Sequence, residues 1–215
     1  MGDLDGRVWR FDIGLDASAN AKIVATTKLY EAGSDQPVFS SMAAVNVGGS
    51  QQYIFFGTGS DLLPSTTIGT SYHLLGVLDK GTTGLKTLDQ KLAKTDSRTM
   101  DEKVTAFPAV AGDIVFFTTT DFQPATACTA PVANLYAFTF IGGAAYDTTG
   151  DDKVGGSDKP LVKQIAGARA TAPFVVDQHL AFGAGNKVAL FGDPTAYNNG
   201  IGQAGVRILS WREVR

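Results

Sequence analysis

The residues whose types and spacing best suit a chemical role lie in one acidic segment, DTTGDDKVGGSD, at positions 147–158. Its twelve residues match the length of a calcium-binding loop, whose curved backbone brings alternate oxygen ligands to one ion. Side chains at positions 1, 3, 5 and 12 and a backbone carbonyl at position 7 would supply the ligands: Asp147, Thr149, Asp151, Asp158 and Lys153 (by its carbonyl). The sequence therefore predicts a Ca²⁺ site.

The loop departs from the usual calcium pattern at four positions. Position 3 is Thr149, position 6 is Asp152 where glycine would ease a sharp turn, position 9 is Gly155, and position 12 is Asp158 rather than glutamate. Val154 at position 8 would be the apolar anchor. We expect weak binding, in the extracellular range of about 10⁻⁴–10⁻³ M. A solvated acidic turn without a cation is the open alternative.

The other reactive residue types are better explained by structure than by catalysis. Asp3 and Asp5 belong to an Asp-x-Asp-Gly turn, which forms without a ligand. His73 and His179 lie in apolar runs, and Cys128 stands alone among small residues that would not activate its thiol. Zinc signatures, phosphate-binding loops and nucleophile elbows are missing from the sequence. We therefore predict a protein that is not an enzyme.

The elements that must position the acidic loop read as β-strands in repeated units. Three units open at Pro37, Pro108 and Pro173, and each continues into an aromatic-rich strand. These strands are YIFFGTG, IVFFTTT and HLAFGAG, starting at residues 53, 114 and 179. No long segment shows helical periodicity, and the abundant glycine, 25 residues, suits many turns.

An incomplete unit precedes these three. Residues 2–13, GDLDGRVWRFDI, combine an Asp5-Gly6 turn with a strand rich in β-branched and aromatic residues, and residues 22–32 form a second strand-like run. The stretch has the character of the end of a sheet whose first strands are missing. We therefore expect one all-β domain over residues 1–215.

The predicted architecture is a partial β-propeller with about three blades plus one or two strands of another. Because closed propellers usually have about four to eight blades, we interpret the chain as the C-terminal fragment of a larger propeller. A β-sandwich accounts for the same strands and remains an alternative.

Three stretches resemble one family. The opening GDLDGRVWRFDI resembles the blade motif of the C-terminal β-propeller in the PilC/PilY family of type IV pilus biogenesis proteins and tip adhesins, and the acidic loop and the SWRE at residues 210–213 resemble the same domain. The resemblance implies a non-enzymatic module that supports pilus assembly, twitching motility and surface adhesion, with Ca²⁺ as a regulator. It implies pilus assembly proteins, the rest of a propeller, and a host or surface receptor as partners.

Charge and hydropathy limit the other possibilities. A net charge of −3 gives no basic field for nucleic acid, and the longest apolar runs are far too short to span a bilayer. No signal peptide follows Met1, so the extracytoplasmic location that the resemblance implies requires a signal upstream. A pyrroloquinoline-quinone propeller oxidoreductase, which shares the GDxDGxVWxFD style, and a generic protein-binding propeller scaffold remain alternatives.

Overall fold

The computed structural model describes residues 1–48, 51–60, 71–92, 102–122, 130–176 and 179–192. Within these residues all strands are arranged in antiparallel sheets, and none of the sheets closes on itself. The described part contains no helix, and therefore none that is long and apolar enough to cross a membrane. The predicted all-β class is confirmed.

The first sheet is a long hairpin of β1 (Arg7–Leu15) and β2 (Ala21–Glu31). Its turn lies at Asp16, whose carboxylate Oδ1 accepts hydrogen bonds from the N–H groups of Ser18 and Asn20 at 2.8 and 2.9 Å. An aspartate that accepts from nearby backbone N–H groups is a common way to hold a tight turn. This hairpin turn is not the one that the sequence suggested.

The predicted Asp5-Gly6 turn lies just before β1, where it folds Gly2 back onto Val8. Gly6 has a φ of +76°, and a Cβ on it would lie 2.1 Å from the carbonyl oxygen of Gly33. Glycine is therefore required there both by the backbone conformation and by the close approach of the chain. The turn positions residues 1–3 along the start of the outer edge of β1.

The second sheet is a four-stranded meander, in which each strand pairs with the next in the chain. Its strands are β3 (Ala43–Asn46), β4 (Gln52–Gly57), β5 (His73–Asp79) and β6 (Gly84–Lys91). The sequence predicted this unit from the aromatic run beginning at residue 53, and the strands occur in the expected order.

The third sheet repeats this meander and adds one short strand. Its strands are β7 (Glu102–Lys103), β8 (Ala109–Ala111), β9 (Ile114–Asp121), β10 (Val132–Thr139) and β11 (Leu161–Ala166). β7 and β8 pair with opposite ends of β9 along the same edge. The sequence did not predict β7, because a two-residue strand has no period to read.

The fourth sheet contains β12 (Phe174–Val176), β13 (His179–Ala184) and β14 (Lys187–Phe191) in the described residues. It also follows the predicted order, with the Pro173 opening followed by the strand that begins at His179. The predicted closing strand at 206–214, with its SWRE segment, and Cys128 lie outside the described residues.

Three apolar clusters join the four sheets in chain order. Alternate residues of one strand point to opposite faces. In β4, Phe56 therefore packs with Val8 of the first sheet, and Phe55 packs toward Phe138 of the third. In β9, Phe117 lies in the cluster shared with the second sheet, and Phe116 lies in the one shared with the fourth.

The second and third sheets are consequently buried on both faces. Residues 74–79 of β5 and 114–120 of β9 are buried without interruption, which explains why apolar residues follow one another in both strands instead of alternating with polar ones. The described residues form four sheets with three successive interfaces between them. A two-sheet sandwich has a single interface, so it does not describe this arrangement. The acidic loop at 147–158 lies between β10 and β11, at the end of the third sheet.

Candidate functional site

Asp147, the first residue of the acidic loop, folds the following residues around its own side chain. Its Oδ1 accepts hydrogen bonds from the N–H groups of Thr149 and Gly150 at 2.9 and 2.6 Å, and its Oδ2 accepts from Asp152 at 2.8 Å. The N–H of Gly150, followed by those of Asp152 and Thr149, holds the pKa of the Asp147 carboxyl below its usual value despite some desolvation. The first half of the loop is thus organised by one carboxylate.

Asp158 closes the second half in the same manner. Its Oδ1 accepts from the N–H groups of Thr148 and Thr149 at 2.7 and 3.1 Å, and its Oδ2 accepts from Gly155 at 2.8 Å. The N–H groups of Gly155 and Thr148 lower the pKa of the Asp158 carboxyl. The carboxylates of Asp147 and Asp158 are therefore brought together around the N–H of Thr149.

The remaining predicted ligands do not complete a cation site in this arrangement. The Asp151 carboxylate accepts from the N–H of Lys153 at 3.0 Å. Across the described ranges, no three or more His, Cys, Asp or Glu side chains are grouped so that they could hold a metal ion. The carboxylate oxygens of Asp147 and Asp158 accept hydrogen bonds from backbone N–H groups of the loop in this structure. Calcium binding stays a prediction.

Two details of the loop bear on the sequence pattern. Asp152, at position 6, has a φ of +60°, so the backbone does turn sharply where calcium loops have glycine. Val154, predicted to be the apolar anchor, is 39% exposed, and that prediction is wrong. The valine is not a member of the apolar clusters that join the sheets.

Asp3 is a structural residue of the opening turn. Its Oδ1 accepts from the N–H groups of Asp5 and Arg7 at 3.0 and 2.8 Å, and its Oδ2 accepts from the Trp9 indole Nε1 at 2.9 Å. Asp5 pairs with Arg7 at 2.8 Å. These contacts favour the turn interpretation over cation binding.

His73 belongs to a charged group on the surface of the second sheet. Its Nδ1 lies 2.5 Å from Asp89 Oδ1, and Lys86 Nζ donates to Asp89 Oδ2 at 2.6 Å. Burial raises the pKa of Asp89, but the hydrogen bonds from Lys86 and His73 outweigh it and leave the pKa lowered. Asp89 therefore holds side chains of β5 and β6 in one hydrogen-bonded group. His179 begins β13 and is half-buried.

A buried carboxylate at Glu102 escaped the sequence analysis. The residue is 2% exposed, and its Oε1 accepts hydrogen bonds from Asn134 Nδ2 and Tyr136 Oη, each at 2.8 Å, and from the Thr119 hydroxyl. Gln164 extends the network by donating to Asn134 Oδ1 at 2.9 Å. Glu102 therefore joins β7 to β9 and β10 by side-chain contacts.

The electrostatics of this network are consistent with a structural role. Burial raises the pKa of the Tyr136 phenol, and the neighbouring Glu102 carboxylate raises it further, so the hydroxyl remains a donor at neutral pH. A buried carboxylate that accepts several neutral donors stabilises the strands that hold them. Its sequence context, a charged Glu-Lys pair, gave no signal, because such pairs are usually exposed.

An open cleft lies between the first and second sheets. Its cavity of about 570 Å³ is lined along one side by β1 residues, including Trp9 and Phe11, and on its floor by Met42, Ala44 and Ile54. At one end, Arg10 Nη1 donates to both carboxylate oxygens of Asp79, each at 2.8 Å. We call this space the β1 cleft. Its lining mixes apolar side chains with polar ones, including Ser41 and Gln52.

Comparisons with family models, curated proteins and solved structures give no match to this chain.

Proposed function

We propose that this chain is a β-propeller module of a type IV pilus biogenesis or adhesin protein. In this role it supports pilus assembly, twitching motility and surface adhesion from an extracytoplasmic location. Its partners are pilus assembly proteins or the remainder of its own propeller, together with a host or surface receptor. It acts by presenting surfaces, not by catalysis.

The observation that carries the proposal is the recurrence of one strand order in successive stacked sheets. The second and third sheets are both antiparallel meanders that begin with a short strand after a proline and continue with a buried aromatic strand. Blades of a propeller are four-stranded sheets repeated in this manner around an axis. The resemblance of residues 2–13 to a pilus-protein blade motif supports a role of this architecture in a type IV pilus protein.

The distribution of polar groups supports a binding role. The buried carboxylate at Glu102 is occupied by hydrogen bonds from within the third sheet, and the Asp89 pair lies on a half-exposed surface. Rigid sheets with exposed connecting loops provide a scaffold on which recognition surfaces can vary. Calcium has no step in this proposal, because carboxylate oxygens of the acidic loop accept hydrogen bonds from the loop's own backbone N–H groups.

The test is genetic. The segment encoding residues 1–215 is deleted in the native host and restored either as the wild type or as a Leu85→Ala variant, since Leu85 is an exposed residue of β6. Surface pili are counted by electron microscopy, and twitching and adhesion are scored. We expect the deletion to reduce all three, and both restored forms to recover them.

Normal piliation, motility and adhesion in the deletion strain would overturn the proposal. The enzyme alternative has a separate measurement, the oxidation of alcohols or sugars by purified protein loaded with pyrroloquinoline quinone. Activity that depends on the quinone would favour that alternative over a surface-binding module.

A further inference from the structure

We draw no further inference here: the strongest candidate, the apolar surface patch of Ile13, Leu15 and Ile23 on the hairpin of β1 and β2, is exposed only with respect to the residues that the structure describes, and nothing among them shows what covers it.

Discussion

β9 and β2 have similar strand-forming sequences but very different environments. Every residue of β9 from Ile114 to Thr120 is buried, whereas residues 21–26 of β2 are all exposed. β9 has strands on both edges and sheets on both faces. β2 pairs with β1, and its contact with the second sheet is centred on Leu29.

The comparison teaches that strand propensity and burial are separate properties. β-branched and aromatic residues make a strand favourable, but burial requires a neighbour for each face. Among the residues that the structure describes, the first sheet has such a neighbour on one face only, and Ile13, Leu15 and Ile23 are 73%, 69% and 60% exposed. Contiguous exposed apolar residues of this kind mark interaction sites.

The largest loss of stability that we predict comes from truncating a buried aromatic side chain. Phe117→Ala, at a residue that is 0% exposed and packs edge-on against Phe138, should destabilise the protein by about 3–5 kcal/mol, because it removes transfer energy and leaves a cavity. Ile13→Ala in the first sheet should change stability by less than about 0.5 kcal/mol. Urea denaturation monitored by circular dichroism measures both, and equal losses would contradict the comparison.

The next largest loss of stability should come from replacing the buried carboxylate of Glu102. Glu102→Ala leaves the donors of Asn134, Tyr136 and Thr119 without their shared acceptor, and we expect a loss of about 3 kcal/mol. Glu102→Gln retains an acceptor oxygen and should lose less, about 1 kcal/mol. If the two variants unfold at the same urea concentration, the hydrogen bonds to Oε1 do not hold β7 in place.

The half-exposed contact between Asp89 and His73 should make a small, pH-dependent contribution to the free energy of unfolding. Because the folded-state pKa of Asp89 is lowered, the stability that it supplies is present above its unfolded pKa, near 4, and is lost as the pH falls through the lower folded value. Exposure of the pair limits the term to less than about 1 kcal/mol.

The measurement is thermal melting between pH 7 and pH 2.5 for the wild type and Asp89→Asn. We expect the variant to be less stable at pH 7 and the two curves to converge at the acidic end. Asp5→Asn, in the exposed pair with Arg7, is the matched control. A constant difference between wild type and Asp89→Asn at every pH would rule out titration of this carboxyl as the cause.

Adding or removing calcium should change the stability of the folded protein least. If the acidic loop binds Ca²⁺ at about 10⁻⁴–10⁻³ M, an excess of the ion stabilises the folded state by mass action and raises the melting temperature slightly. Asp151→Ala should abolish the increase, because Asp151 has fewer loop contacts than Asp147 and Asp158, the other two predicted carboxylate ligands. If the wild type melts at the same temperature with calcium and with chelator, the acidic loop is not a calcium site.

The sequence by itself determined most of the strands and their order, but not β7. The buried strands β4 and β9 were found because sheets that are covered on both faces favour consecutive apolar residues, and such residues are visible without a structure. The turn at Gly6 was likewise predicted from an Asp-Gly pair. The acidic loop was located by residue spacing, since carboxylates at alternate positions are a local pattern.

Only the tertiary structure decided what those elements contact. Glu102 is buried because β7 is carried onto the edge of β9, a pairing that no local pattern encodes. Val154 is exposed. The carboxylates of Asp147 and Asp158 accept hydrogen bonds from backbone N–H groups within the loop. The β1 cleft exists because two strands lie on four, a mismatch between elements that are distant in sequence and meet only when the sheets pack.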